Sequence, residues 1–320
     1  MLAKRILVAA AALLAANLAG PAEAAFPDKD INIVIPFGPG GGFDVYVRMV
    51  GPFLEKHLPA KVNVVPKNVD GAGGARGMTQ VFRAKPDGFN LAIVNVPGAM
   101  ILPILGEKVD YELEKMTWIA RLSYDSYVLV VPAKSEIKTI AEYASFAAKG
   151  PLKMPSVGTG TTADVAARIF LDVYGFKGEM VAGYKGTRDM TLAVIRGDTA
   201  SGILPSESTR SFVESGDLRG LLTTADPTDY PGVPSAKSLG KTDLDGLFVH
   251  RLIAAPPGLP GDIKRTLEKA FLEAMADPEL QEIAKKTSRP LAPLNAVEAE
   301  AAVKRQLQLY LRFKDVLKDK

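Results

Sequence analysis

The sequence predicts an α/β protein of two lobes, each a mostly parallel sheet covered by helices, with a cleft between them. Three observations predict it. Short apolar segments alternate with amphipathic helical patterns, the order of parallel strands joined by crossover helices. That order runs once, restarts near residue 125, and leaves helices over at the end. A length of 320 residues with 47% hydrophobic content exceeds one typical core and suits two.

The elements follow in order. Ile31–Pro36 (INIVIP) reads as a buried strand, ended by Pro36 and a glycine cluster at 38 and 40–42. Val45, Met49, Val50, Phe53 and Leu54 recur at helical spacing to about His57, with Pro52 placed to kink or restart that helix. Strand Val62–Val65, a glycine loop Gly71–Gly77, a helix near Thr79–Ala84 and strand Leu91–Val96 come next. After strands Trp118–Leu122 and Tyr127–Val131 the pattern restarts. Ser156-Val157-Gly158 ends a strand in a Gly/Thr loop, and Val165, Ile169, Phe170 and Val173 mark the face of the following helix. Strand Met180–Tyr184 leads through Lys185-Gly186-Thr187 to a helix stopping at Gly197, a normal C-terminal glycine. Strands Ser201–Leu204, Leu218–Thr224 and Leu247–Ala255 precede closing helices at Ile263–Ala276, Leu280–Lys285 and Ala296–Val316. The expected division is residues 25–124 and 246–320 in one lobe and 125–245 in the other.

The first residues predict export. Lys4 and Arg5 precede the apolar run Ile6–Ala16, and Ala22-Glu23-Ala24 is a small-residue cleavage pattern, so residues 1–24 read as a signal peptide. A bilayer span needs roughly 20 apolar residues, and this run breaks at Asn17 and Gly20. The absence of cysteine excludes disulfides, thiolate metal sites and a lipid anchor on an N-terminal Cys. His57 and His250 are the only imidazoles, a poor basis for a metal or triad enzyme, so no catalytic residue, metal or cofactor is expected. His57 reads as a solvated helix-end residue and His250 as a satisfied core or hinge residue. A net charge of +3 without a long basic run gives no nucleic-acid footprint.

Three loops share one design, a strand, a turn of glycine or small residues, and a helix start. They are Phe37–Asp44, Gly158–Asp164 and Tyr184–Asp189. In a parallel sheet such loops lie at the carboxyl ends of strands, where ligands bind, and helix N-termini there offer free N–H groups to an anion. The expected contacts are Phe37, Gly38, Gly40, Gly41, Gly42, Phe43 and Asp44 in the first loop. Thr159, Gly160, Thr161 and Thr162 stand in the second, with the threonines as hydroxyl donors, and Lys185 and Gly186 in the third. Asn95 and the Pro205-Ser206 pair, each at a strand end, complete the set. Asp44 and Asp164 read as caps or dipole partners rather than general bases. Gly38–Asp44 lacks the Lys-Ser/Thr ending of a P-loop, Gly71–Arg76 lacks the third glycine of a dinucleotide loop, and no G-x-S-x-G elbow is present.

The run Phe26-Pro27-Asp28-Lys29-Asp30-Ile31 leading to Val34-Ile35-Pro36-Phe37-Gly38-Pro39-Gly40-Gly41-Gly42-Phe43-Asp44 resembles the opening of mature Bug (TctC-type) proteins, the substrate-binding components of tripartite tricarboxylate transporters. The likeness continues at Gly71–Gly74, Pro86–Phe89, Tyr184–Gly186 and Gly216–Arg219. It implies a two-lobed periplasmic binding protein of the Venus-flytrap kind, a monomer that binds a small organic carboxylate, a dicarboxylate or an aromatic acid, largely through backbone groups. The implied partners are the transporter's membrane permease subunits. Two positions depart from the pattern: Asp164 stands where His is frequent, and Val69-Asp70 where Arg-Pro is usual. A periplasmic sensor module and a hydrolase using the Thr-rich loop are the alternatives. The hydrolase lacks a base beside a nucleophile.

Overall fold

A computed structural model describes residues 26–318 of the chain, so the signal-peptide reading lies outside the described residues. One sheet has five strands, in the order β2 (Val64–Asn68), β1 (Ile31–Ile35), β3 (Asn90–Val96), β10 (Val249–Ala255) and β4 (Thr117–Asp125). β1 pairs in parallel with β2 and β3, while β10 pairs antiparallel with both β3 and β4. Four strands therefore run one way, and only the returning strand β10 is reversed. The second lobe is built the same way. β5 (Tyr127–Pro132) lies antiparallel between β8 (Gly202–Pro205) and β9 (Leu218–Thr223), and β6 (Leu152–Pro155) pairs in parallel with β7 (Gly178–Val181). The mostly parallel expectation holds apart from the reversed strands β10 and β5, both of which the chain enters after crossing between the sheets.

The helices follow from apolar spacing. In α1 (Gly42–His57) the buried Tyr46, Val47, Val50, Phe53 and Leu54 repeat every three or four residues, with Asp44 in the first turn and Lys56 and His57 in the last, matching the helix dipole. This helix continues through Pro52 as one element rather than restarting there. α2 (Ala75–Phe82) starts four residues before the expected helix, straight out of the glycine loop. α3 (Gly98–Leu105) and α4 (Ile140–Ala147) are additional to the sequence reading, the latter opened by a capping box between Thr139 and Glu142. α5 (Thr162–Tyr174) ends on Gly175, and α6 (Thr187–Arg196) ends on Gly197 as expected, both glycines at left-handed φ. α7 (Ser206–Glu214) is also additional. α8 (Gly261–Ala276), α9 (Pro278–Lys286), α10 (Ala296–Arg312) and α11 (Lys314–Leu317) close the chain.

Packing places the sheets. One face of the five-stranded sheet buries Ile31, Ile33, Ile93 and Ile253 against α1 and α8. Its other face belongs to a cluster running from Val94 and Ile101 through Tyr310, Phe313 and Leu317 to Phe170 of α5. The C-terminal segment thus ties the two lobes together on one side. Fully burying each such side chain contributes roughly 1.5–3 kcal/mol, which makes the tie a substantial one.

Candidate ligand-binding site

The first and second glycine loops are built alike. Asp44 stands at the third position of α1, and its Oδ2 accepts from the Gly40 N–H at 2.9 Å. Asp164 stands at the third position of α5, and its Oδ2 accepts from the Gly160 N–H, also at 2.9 Å. Each aspartate binds the arginine four residues on, Arg48 Nε at 2.9 Å and Arg168 Nε at 3.1 Å. Gly40 and Gly160 both sit at left-handed φ, +79° and +75°. Only glycine adopts that angle without strain, so the pattern Gly-x-x-x-Asp-x-x-x-Arg, present at 40–48 and again at 160–168, encodes one loop closure twice. The third loop repeats the closure weakly, with the Lys185 N–H donating to Asp189 Oδ2 at 3.3 Å.

Neither Asp44 nor Asp164 is the N-cap itself. Gly41 and Thr161 hold that place, both extended and both without a side-chain cap bond, and the aspartates pin the turn from the third helical position. Asn68, at the end of β2, fixes the first turn further by donating to Asp44 Oδ1 at 3.0 Å and to the Phe37 carbonyl at 2.9 Å. Burial pushes the Asp44 carboxyl up, but the bonds from Arg48, Gly40 and Asn68 outweigh it and hold the group below its usual range. Gly38, Gly40 and Gly41 are exposed, beside a wall made by Phe37 and Phe43 with ring centroids 5.0 Å apart.

The parallel pairings gather these loops. β1, β2 and β3 are neighbours, so Phe37, Asn68 and Asn95 emerge at the same sheet end. β6 and β7 are neighbours in the second lobe, which sets the Gly158–Asp164 and Lys185–Asp189 turns side by side. The lobes meet where Asn95 Nδ2 donates to Thr162 Oγ1 at 2.8 Å and where Gly160 abuts Ile101. Asn95 is 4% exposed, and its buried Oδ1 has no partner among the described residues.

Several expected contacts take other duties. The Thr161 hydroxyl donates to the Gly158 carbonyl at 2.6 Å, so it braces its own turn rather than offering a free donor. Thr159 is exposed in that turn, and Lys185 and Gly186 sit at the rim, Lys185 exposed. Ser206 is fully buried, its hydroxyl 2.6 Å from that of Ser126 and its N–H bonded to the Ser126 carbonyl. Together with Pro205, which pairs with Tyr127, it anchors the crossing between the sheets.

Sequence reasoning missed the buried charge cluster behind the first loop. Arg251 on β10 is 2% exposed, and its guanidinium fills the space beside Gly42, where a Cβ would come within 3.0 Å of Nη2. That guanidinium lies over the Tyr46 ring, bonds Ser123 Oγ at 3.2 Å, and faces Glu207 of α7 at 3.1 Å and Asp125 at 3.8 Å. Arg289 takes the other Glu207 oxygen at 3.0 Å. Burial, the first cause, pushes the Asp125 carboxyl up to about 7, with Glu207 adding to the rise and Arg251 opposing it. The expected satisfied state of His250 is corrected too. It is 5% exposed, yet among the described residues neither ring nitrogen has a partner. His57 is half-buried, facing Asp277 at 3.6 Å and Glu273 at 3.9 Å.

The comparisons agree with this architecture. Residues 47–305 match the model of the tripartite tricarboxylate transporter family receptor. A UPF0065 protein from the gbd 5′ region of Cupriavidus necator is 32% identical over 286 residues, covering 85% of this chain and 84% of the relative. Protein BugT of Bordetella pertussis is 27% identical, covering 81% of each chain. Among solved structures, the periplasmic binding protein BugD superposes with a TM-score of 0.80 at 24% identity, over 91% of this chain and 98% of its own. MatC of Rhodopseudomonas palustris, solved with malate, gives 0.79 at 22% identity over 92% and 100%. This is a family of solute receptors, not of enzymes, and no described helix is long and apolar enough to cross a membrane. With the family model matched across most of its length, the chain belongs to the tripartite tricarboxylate transporter receptor family.

Proposed function

We propose that this protein is a periplasmic receptor that captures a small organic carboxylate, a dicarboxylate or an aromatic acid, between its lobes and delivers it as a monomer to the transporter's membrane permease subunits. The lobes are residues 25–124 with 246–320, and 125–245. The observation that carries this reading is the duplicated loop closure, which builds the N-termini of α1 and α5 alike, one in each lobe. Free N–H groups and the positive dipole ends favour an anion there, and a molecule with carboxylates at two ends satisfies both lobes. Two fold relatives support the class: MatC was solved with malate, and another R. palustris protein with adipate.

A thermal-shift screen of the mature chain against a carboxylate library, malate and adipate included, tests this. A ligand at 100 times its Kd adds about 2.7 kcal/mol of stability. Stabilisation by sugars, cations or peptides alone overturns the carboxylate assignment. Fractionation and intact mass test export, with a soluble product beginning at Ala25.

A further inference from the structure

Outside the crevice, where α10 crosses β4 and β10, the chain frames a cavity of about 520 Å³. His250 lines it from β10 and Gln306 from α10; among the described residues both His250 ring nitrogens and the Gln306 Oε1 have no partner, while the Gln306 Nε2 donates to the Gly246 carbonyl. Leaving buried polar atoms unsatisfied is costly, and three of them belong to two side chains on the wall of this cavity.

Two cations border the same cavity. Arg121 of β4 donates its Nε to the Ala292 carbonyl and stacks its guanidinium 4.8 Å from the centroid of the Tyr124 ring, which leaves its terminal nitrogens uncommitted. Arg305 is exposed on α10. Among the described residues, neither guanidinium has a carboxylate within salt-bridge distance; Asp245, also on the cavity wall, lies 4.0 Å from Lys237 instead. An apolar wall completes the space, with Tyr124 and Phe248 edge to face at 5.1 Å and Phe248 edge to face with His250 at 6.2 Å.

We propose that this cavity is a second ligand site, separate from the interlobe crevice, for a small aromatic carboxylate. The carboxylate lies between Arg121 and Arg305 and accepts from the His250 ring N–H, while the ring of the ligand packs on Tyr124 and Phe248. The pairing supplies a direct ion-pair partner to two guanidinium groups, one of which otherwise has only the more distant Glu298, together with an acceptor for a buried donor and a flat apolar body for an aromatic wall. Tyr124 leads directly into the crossing at Asp125-Ser126, and Phe248 directly precedes β10, so an occupant touches both connections between the sheets.

The two histidines make the test direct, because His250 and His57 give the only imidazole signals in the chain. The mature protein is titrated with benzoate while histidine ring resonances are followed by NMR. A saturable shift at His250 with His57 unmoved is expected. Arg305→Glu, on an exposed residue, weakens that titration at least tenfold, and Arg121→Gln does the same. Gly41→Val, which blocks the crevice, leaves the His250 titration as it is, and neutral benzyl alcohol produces no saturable shift. The proposal is overturned by absence of a saturable His250 shift with benzoate, or by affinity retained in both arginine variants. Loss of the titration in Gly41→Val, or equal binding of benzyl alcohol, overturns it as well.

Discussion

Three adjacent glycines, 40, 41 and 42, open the first loop, and the structure gives each a different reason to be glycine. Gly40 holds φ +79°, an angle that costs an L side chain about 1–2 kcal/mol. Gly42 has an ordinary angle, but a Cβ there meets Arg251 Nη2 at 3.0 Å, and that guanidinium is buried and held by Glu207 and Ser123. Displacing it costs roughly 1–3 kcal/mol, as overpacking does elsewhere. Gly41 differs from both. Its φ of −78° and ψ of 166° suit even a β-branched residue, and the nearest atom to an added Cβ is the Gly38 carbonyl at 3.8 Å. Neither backbone angle nor space therefore demands glycine at 41; its N-cap place favours glycine over valine by about 1 kcal/mol or less, and close approach of a ligand to the exposed backbone is the further reason that the proposed site supplies. Gly41→Val is expected to lower stability by about 1 kcal/mol or less, the cost of an apolar residue at the N-cap. It is expected to weaken carboxylate binding at least tenfold, about 1.4 kcal/mol. Gly40→Ala and Gly42→Ala lose stability by the amounts above. Urea denaturation and calorimetric titration of all three variants, with the carboxylate found by screening, read both quantities. Undiminished affinity in Gly41→Val refutes the placement of the site, and a stability loss there greater than that of Gly40→Ala refutes the geometric reasoning.

Other outcomes follow from the buried charges. Burial first, then Arg121, Arg305 and Arg251, lower His250 to about 3, so its folded state resists protonation and its contribution to stability falls as pH drops below about 6.5. Between pH 7 and pH 5 this amounts to about 2 kcal/mol. Asp125, raised to about 7, acts in the opposite sense, so the difference in denaturation midpoint between the native chain and His250→Phe is the quantity to read. An equal pH dependence in both removes the effect. Glu207→Gln leaves Arg251 facing only Asp125 at 3.8 Å and is expected to cost roughly 3 kcal/mol. Adding Arg251→Met and making position 207 Leu restores most of that, and a double variant as unstable as the single one contradicts the charge explanation. Asp44→Asn loses one closing acceptor for Gly40 and Arg48 and is expected to cost about 1–2 kcal/mol with weakened binding, read by the same two assays.

Periodicity located the strands and the long helices to within a few residues, because each buries one continuous apolar stripe. It passed over α3, whose Gly98-Ala99-Met100-Ile101-Leu102-Pro103 run is apolar on all sides and has no period to detect. It passed over α7, which follows Pro205 and buries only Ser206 and Thr209 among its residues. In the site, glycine and small-residue turns marked the loops. The loop closure went unread there, with Asp44 and Asp164 expected only as caps or dipole partners, although Gly40, Asp44 and Arg48 repeat their spacing at Gly160, Asp164 and Arg168. The pairing of Arg251 with Glu207 was not legible, because those residues belong to different lobes and only the folded crossing brings them together. Asn95 with Thr162 is hidden for the same reason. Ser206 misled in the opposite direction, as a small polar residue at a strand end that proves to be an internal strut.

The position of β10 sets the order in which this chain can assemble. β4 hydrogen-bonds to no other strand in the five-stranded sheet, and one edge of β3 also waits for β10. As the polypeptide emerges from its N-terminus, β1 to β4 are present early. The strand that joins the last of them to the rest arrives only after the whole second lobe, at residues 249–255. The second lobe, by contrast, has all its strands by residue 223. It can therefore consolidate while the first remains open, and long-range closure across more than a hundred residues is the slow event. A nascent chain arrested before Val249 leaves β3 and β4 with bare edges, a template for pairing with a neighbour. The first lobe is therefore complete only once residues 249–255 are available, after every strand of the second lobe.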